Sequence, residues 1–307
     1  VDSPFFDDFT FLEDWIKYKS GTLHFSDLFT AHMEHRVVLP RFMALGLHLV
    51  LGRDLRWQNL TTLLLLWGTG WNLLRIFGRT TGAALRSGWI PLLAMSALLF
   101  CAIQWQAILW PICFEIFLPM FFFTLGINFW IRSQKPTRAF VISALGAIGG
   151  TVSFANGALI WPLMLPALWW LRDDLARSQR HRLIGAWLVI AAVTIVLYTH
   201  RFSNSAPGQF AYGQGNDVTV EHSARYFVGN LDKAAGFISA LLGCHLSRGL
   251  HLQNIVAAQC VGGVSFVAYL TCLAIVWWQR KDTPLLKSTL PCLLPGASRI
   301  APPTTIP

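Results

Sequence analysis

The sequence predicts an all-α protein, a polytopic transmembrane helical bundle with amphipathic helices on its external side. Three observations predict it. Hydrophobic residues make up 54% of the chain and charged residues only 13%, with a positive mean hydropathy, a balance foreign to soluble domains. Seven strongly apolar stretches recur along it, at 57–77, 89–104, 110–131, 139–153, 157–171, 183–199 and 255–278. Between these stretches, lysine and arginine are concentrated in alternate gaps. A β-barrel pattern of alternating apolar and polar residues is missing, so the spans are read as helices, which satisfy their own backbone hydrogen bonds in lipid.

Orientation follows from the cations. Loops 75–88, 132–138 and 172–182 and the tail after Trp278 hold fourteen Lys/Arg against three Asp. Residues 1–56, the turns near 105–109 and 154–156 and loop 200–254 hold ten Lys/Arg against eleven acids. By the positive-inside rule the first set is cytoplasmic and the second external. The net charge of +9 is therefore a topology signal and implies no nucleic-acid partner.

In chain order, 1–56 reads as an external acidic loop with an interfacial helix. Phe5, Phe6, Phe9, Phe11, Leu12, Trp15 and Ile16 interleave there with Asp7, Asp8, Glu13 and Asp14. Asp8 or Thr10 caps a short helix ending near Gly21, and Ser26-Asp27 starts a second one running to Glu34-His35-Arg36. The apolar run 37–51 contains Pro40 and Arg41 and is too short to span, so it is interfacial or re-entrant. Because the chain opens at Val1 with an external segment, a signal sequence or a first span is expected upstream.

The transmembrane bundle occupies 57–278. A span needs roughly 20 residues, so 89–104, 139–153 and 157–171 must borrow from their flanks. Trp57, Trp89, Trp105, Trp110, Trp130, Trp161, Trp169, Trp170, Trp277 and Trp278 fall where interfacial aromatic belts belong. Glu115 sits about 7–8 Å below the interface, counting from Trp110 at 1.5 Å per residue. It reads either as a functional group facing a polar cavity or as an acid bonded to a neighbouring span. Asn156-Gly157 is a tight external turn that reverses the chain or presents Asn156 to the same cavity. In loop 200–254, Phe227, Leu231, Ala234, Ile238 and Leu241 form one helical apolar face opposite Arg225, Asp232 and Lys233. The six cysteines have neither disulfide nor zinc spacing and read as packing residues. The Pro/Ser/Thr-rich tail, 279–307, is expected to be disordered.

Several motifs are familiar: Asp27-Leu28 leading to His32-x-Glu34-His35-Arg36-Val37-x-x-Pro40-Arg41, then Gln104-Trp105-x-x-x-Leu109-Trp110, then Ser153-x-Ala155-Asn156-Gly157-x-x-x-Trp161-Pro162. Over roughly 2–275 the chain resembles an uncharacterised family of bacterial polytopic membrane proteins similar to the GT-C superfamily, whose glycosyltransferases use polyprenyl-phosphate sugars. The resemblance implies a GT-C-like bundle in the bacterial inner membrane with its site on the periplasmic face. It implies Asp7 or Asp8 as general base, and Glu34, His35, Arg36 and Arg41 as the matching Glu-His-Arg…Pro-Arg run. Phe9 stands where relatives would carry Trp, Gln106 where an acid or amide is expected, and Glu115 where Gln is expected.

The chemistry is coherent on its own terms. A carboxylate takes the proton of an acceptor hydroxyl, and arginines such as Arg36, Arg41, Arg201 and Arg225 hold the departing phosphate. A divalent cation, Mg or Mn, would suit such a site, though no ligand spacing demands one. Asp7, Asp8 and Glu13 read equally as a solvated acidic face, and Glu34-His35-Arg36 as a structural ion-pair cluster. The preferred function is transfer of a sugar from a polyprenyl-phosphate carrier to an external cell-envelope acceptor. The rivals are a transporter or flippase that uses Glu115, and a membrane scaffold without catalysis. Repeated halves and intramembrane charges, the marks of secondary transporters, are sparse.

Overall fold

Among the described residues every apolar stretch is helical and no strand occurs; the protein is all-α. The computed structural model describes residues 8–30, 36–81, 93, 96, 99, 100, 108–170, 175–200, 229–233, 235, 236, 239 and 255–279. These fall into two compact units, one holding the described residues up to His200 and one holding 229–279. In the first, α1 is Asp8–Lys19, a 3-10 turn covers Phe25–Phe29, α2 is Val38–Leu51 and α3 is Arg56–Thr81. A second 3-10 turn, Pro111–Cys113, opens α4 at Phe114–Arg132; α5 is Pro136–Thr151. A third turn, Ala155–Leu159, leads to α6 at Ile160–Trp170, and α7 is Arg177–Thr199. In the second unit α8 is Ile255–Gln279. The expected helix over 26–36 is realised as the 3-10 turn, with its further part outside the described residues. The stretch 89–104 is described only at 93, 96, 99 and 100, and the predicted face 227–241 only in part.

Small residues let the central helices close up. Ala139, Ser143, Ala144, Gly146, Ala147 and Gly150 form the buried face of α5, which packs along α4. Ser143 Oγ donates to the Gly126 carbonyl across that seam at 3.1 Å. Where α5 turns back, Gly157 lies so close to Gly150 that a Cβ would overlap the Gly150 carbonyl. Only glycine fits there.

The tryptophans divide in a way their positions do not reveal. Trp57 is exposed, as are Trp67 and Trp71. Trp130 and Trp161, expected in the interfacial belts, are instead core residues together with Trp187. Each buried indole N–H has an acceptor: Trp130 donates to the Ala167 carbonyl, Trp161 to Thr151 Oγ1 and Trp187 to the Trp161 carbonyl. A buried indole needs such a partner, and these three tie α4 and α7 to α6, and α6 to α5.

Helix α3 is inverted relative to a soluble amphipathic helix. Beside Leu65, Leu66 and Ile76 it buries Gln58, Thr62, Thr69 and Asn72 against its neighbours, and it exposes Leu60, Leu63, Leu64, Trp67 and Trp71. Across from it, Asn128 of α4 donates to Asn72 Oδ1 at 2.9 Å. Among the described residues two helical segments, against the seven expected, are long and apolar enough to cross a membrane: Pro111–Arg132, mean hydropathy 1.8, and Arg177–Thr199, mean hydropathy 1.9. The first is mostly core, whereas only 11% of the apolar stretch in the second is buried.

Candidate functional site

The polar residues of the amino-terminal segment meet the helix ends at one end of the first unit. α1 begins with Asp8, which is buried, and its Oδ1 accepts the Ile112 backbone N–H at 3.0 Å. The carboxylate thus serves the turn that opens α4, which presents N–H groups without partners inside the helix. Three residues on, Phe11 packs against Phe114. Asp14 falls on the same face of α1 and forms a buried ion pair with Arg41 of α2, Nη1 to Oδ1 at 3.2 Å. Arg41 Nη1 also donates to the Asp27 carbonyl at 2.9 Å, while the Asp27 side chain accepts the His24 N–H. Burial pushes the Asp14 carboxyl up to about 6, against the pull of Arg41 and Lys17.

One turn pair further along α2, His48 is buried against the Trp15 ring. Its Nδ1 faces the Gly52 carbonyl and its Nε2 faces Gln58 Nε2, each at 3.4 Å. A neutral ring with the proton on Nδ1 suits both contacts, and burial holds the imidazole below its ordinary value. The first turn of α2 is fastened separately, by the Leu39 N–H donating to the Val152 carbonyl at the end of α5.

A second cluster forms at the end of α7. The Arg36 backbone N–H donates to the Tyr198 hydroxyl at 3.2 Å, and its Nη2 donates to the His200 carbonyl. Burial lowers the Arg36 guanidinium from its ordinary value. Glu115, buried in the first turn of α4, interacts electrostatically with the same Tyr198 hydroxyl. An acid in that turn is also favoured by the helix dipole. Asn156 is exposed in the Ala155–Leu159 turn. Asp7, Glu34, His35, Arg201 and Arg225 lie outside the described residues.

Of the predicted residues, Asp8, Arg36, Arg41 and Glu115 are therefore all held at the helix ends that the charge pattern assigns to the outside. Asp14, His48, Gln58 and Tyr198 join them without having been singled out. Spacing carried a signal for the first two: Asp14 interrupts the Phe11, Trp15, Tyr18 face, and His48 follows Arg41 by two helical turns. Among the described residues no group of three His, Cys, Asp or Glu is placed to hold a metal. An open groove of about 650 Å³, lined by Gln134, Lys135, Pro136, Thr137, Arg138, Val141 and Ile142, lies at the opposite end of α5. It contains no acid and is remote from these clusters, so the buried side chains are the better guide to chemistry. Compared with protein-family models, with curated proteins and with solved structures, the chain matches none.

Proposed function

We propose that the protein is a multi-pass inner-membrane glycosyltransferase with a GT-C-like bundle, moving a sugar from a polyprenyl-phosphate carrier to an external cell-envelope acceptor. The observation that carries this reading is the gathering of Asp8, the Asp14–Arg41 pair, Arg36 and Glu115 at one set of helix ends. The inverted polarity of α3 and the exposed apolar surface of α7 support the membrane part of the reading. In the reaction, Asp7 or Asp8 accepts the proton of an acceptor hydroxyl as its oxygen attacks the anomeric carbon. The bond from that carbon to the phosphate oxygen breaks, and polyprenyl phosphate leaves with its charge countered by arginine.

The test is release of polyprenyl phosphate when the full-length protein is incubated with a panel of carrier-linked sugars. Asp8→Asn is well suited to it, because an amide oxygen still accepts the Ile112 N–H and preserves the fold. Loss of a general base lowers turnover by about 10²–10⁴-fold. Unchanged turnover in both Asp7→Asn and Asp8→Asn removes the base assignment, and no release from any donor removes the enzyme.

A second reading, transport of a lipid-linked or small polar solute, draws on the buried polar seam of Gln58, Thr62, Thr69, Asn72 and Asn128. The Thr62 and Thr69 hydroxyls bond back along α3 and Asn128 bonds Asn72, which favours packing over a pathway, while the Gln58 and Asn128 amide oxygens have no hydrogen-bond partner. Carrier-dependent flux across proteoliposomes without phosphate release would reverse that preference.

A further inference from the structure

Helix α2 buries both of its polar side chains, together with Val38, Pro40 and Ala44. Arg41 and His48 are the two polar side chains of its sequence, VLPRFMALGLHLVL, and both are buried, at 6% and 3% exposure. Its exposed side chains are Phe42, Leu49, Val50 and Leu51, with Val50 at 81%. Next to it the Phe25–Phe29 turn exposes Phe25 and Phe29, and their rings meet Phe42 at centroid distances of 5.9 and 6.3 Å. The turn is locked to α2 beneath these rings, through the buried Leu28 and the hydrogen bond from Arg41 to the Asp27 carbonyl.

We propose that the Phe25–Phe29 turn and α2 form a platform seated in the outer boundary of the lipid bilayer, with Phe25, Phe29 and Phe42 as its wedge. This rests on the membrane-spanning reading above and commits the exposed apolar face to lipid. Inverted polarity is what favours lipid over water, since a helix at an aqueous surface turns Arg and His outward and Leu and Phe inward. No polar side chain is exposed along α2 itself, and those exposed beside the turn, His24, Ser26 and Thr30, fall at headgroup level in this placement. Past the Gly52 turn, where Arg53 and Arg56 are exposed, apolar surface resumes at Trp57, Leu60 and Leu64 of α3. At 14 residues, α2 reaches only about 21 Å, short of a hydrocarbon core of about 30 Å, so it lies along the boundary rather than crossing. Seated in this way, the platform holds Arg41 and His48 on its protein side, near the depth of lipid phosphates.

Nitroxide labels test this in the full chain with its six cysteines replaced, reconstituted into phosphatidylcholine–phosphatidylglycerol vesicles. Labels go singly at Phe25→Cys, Phe42→Cys and Val50→Cys, with Ser20→Cys as the aqueous reference and Val193→Cys on α7 as the lipid reference. The platform predicts an oxygen-to-nickel-chelate accessibility ratio several-fold above that of Ser20 and below that of Val193. A ratio equal to that of Ser20 at all three sites overturns it, as does exclusion of both reagents with spin–spin broadening, the mark of a second copy. Val50 keeps the test decisive if a phenylalanine variant folds poorly. A Val193 label open to the nickel chelate would instead sink the membrane reading itself.

Discussion

At the scale of single residues, Asp14 is the group whose surroundings most clearly set its behaviour. Its carboxyl titrates near 6 rather than 3.8 because burial outweighs the attraction of Arg41. The folded chain therefore holds this proton more tightly than the unfolded chain does. Stability from this group is full below about pH 4 and declines as the pH rises through 6. Arg41→Met removes the counter-charge and keeps most of the volume. Without that attraction Asp14 holds its proton to a pH above 6, so at neutral pH the variant is less stable by about 1–3 kcal/mol, the cost of keeping the carboxyl protonated or unpaired. Below about pH 5 Asp14 is protonated in both proteins and most of that loss disappears, which thermal unfolding in detergent across the range will show. An equal loss at both ends of the range would mean that Asp14 is solvated. Gly157 sets a second limit, through space rather than charge. Gly157→Ala pushes a methyl into the Gly150 carbonyl and is expected to destabilise by at least about 1–3 kcal/mol. Gly185→Ala, in α7 with nothing within 4 Å of the new methyl, should unfold at the parent temperature or slightly above.

At the scale of elements, most described helices were legible because their apolar stretches are punctuated by Pro, Gly or charge, as at Pro136 and Gly52, whereas the helix expected from Ser26 is a 3-10 turn. Which way each helix faces was not. Composition marks 57–77 as apolar but does not say that Gln58, Thr62, Thr69 and Asn72 share a stripe that turns inward. That stripe has helical spacing, so the periodicity was present; it mixes these polar groups with Leu65, Leu66 and Ile76, and the pattern alone names no inside. The tryptophans failed for a related reason. Belt position and core position look alike until the partner of the indole N–H is known, and the acceptors for Trp130 and Trp161 come from other helices. The α3–α4 seam offers a direct test of polar adhesion. Asn72 and Asn128 exchange a hydrogen bond of 2.9 Å between these helices. Asn128→Leu should cost about 0.6–1.7 kcal/mol, the range for interhelical bonds in membranes. The double variant Asn72→Leu/Asn128→Leu should cost less than the two single changes added together, because the second removes an amide whose oxygen has already lost its donor. Strict additivity in detergent unfolding would show that the two amides act independently.

At the scale of the whole first unit, charge and geometry meet in one arrangement. Arg132, Lys135, Arg138, Arg177 and Arg182 sit exposed where α4 ends and where α5 and α7 begin. Asp8, Asp14, Asp27 and Glu115 belong to the opposite helix ends, where α2 is fastened to α5 and Arg36 to the end of α7. The positive-inside rule uses only the first set, so the second is an independent consequence of how the chain folds. Together they predict a sidedness open to measurement in intact cells. A cysteine at Ser20, in the exposed end of α1, should react with a membrane-impermeant maleimide added outside. A cysteine at Gln134, in the exposed turn between α4 and α5, should react only after the membrane is opened. Separate labelling of the two positions from opposite sides places the acidic cluster where a carrier-linked donor in the outer leaflet could reach it. If both label from outside, α4 does not cross the bilayer, and the clusters around Asp14 and Glu115 must be explained without one. If Gln134 labels from outside and Ser20 does not, the bundle is inverted and the arginine-rich end faces the periplasm. Either result leaves the ion pair and its pH dependence intact, since those rest on contacts within the protein, and moves only the surroundings in which they act.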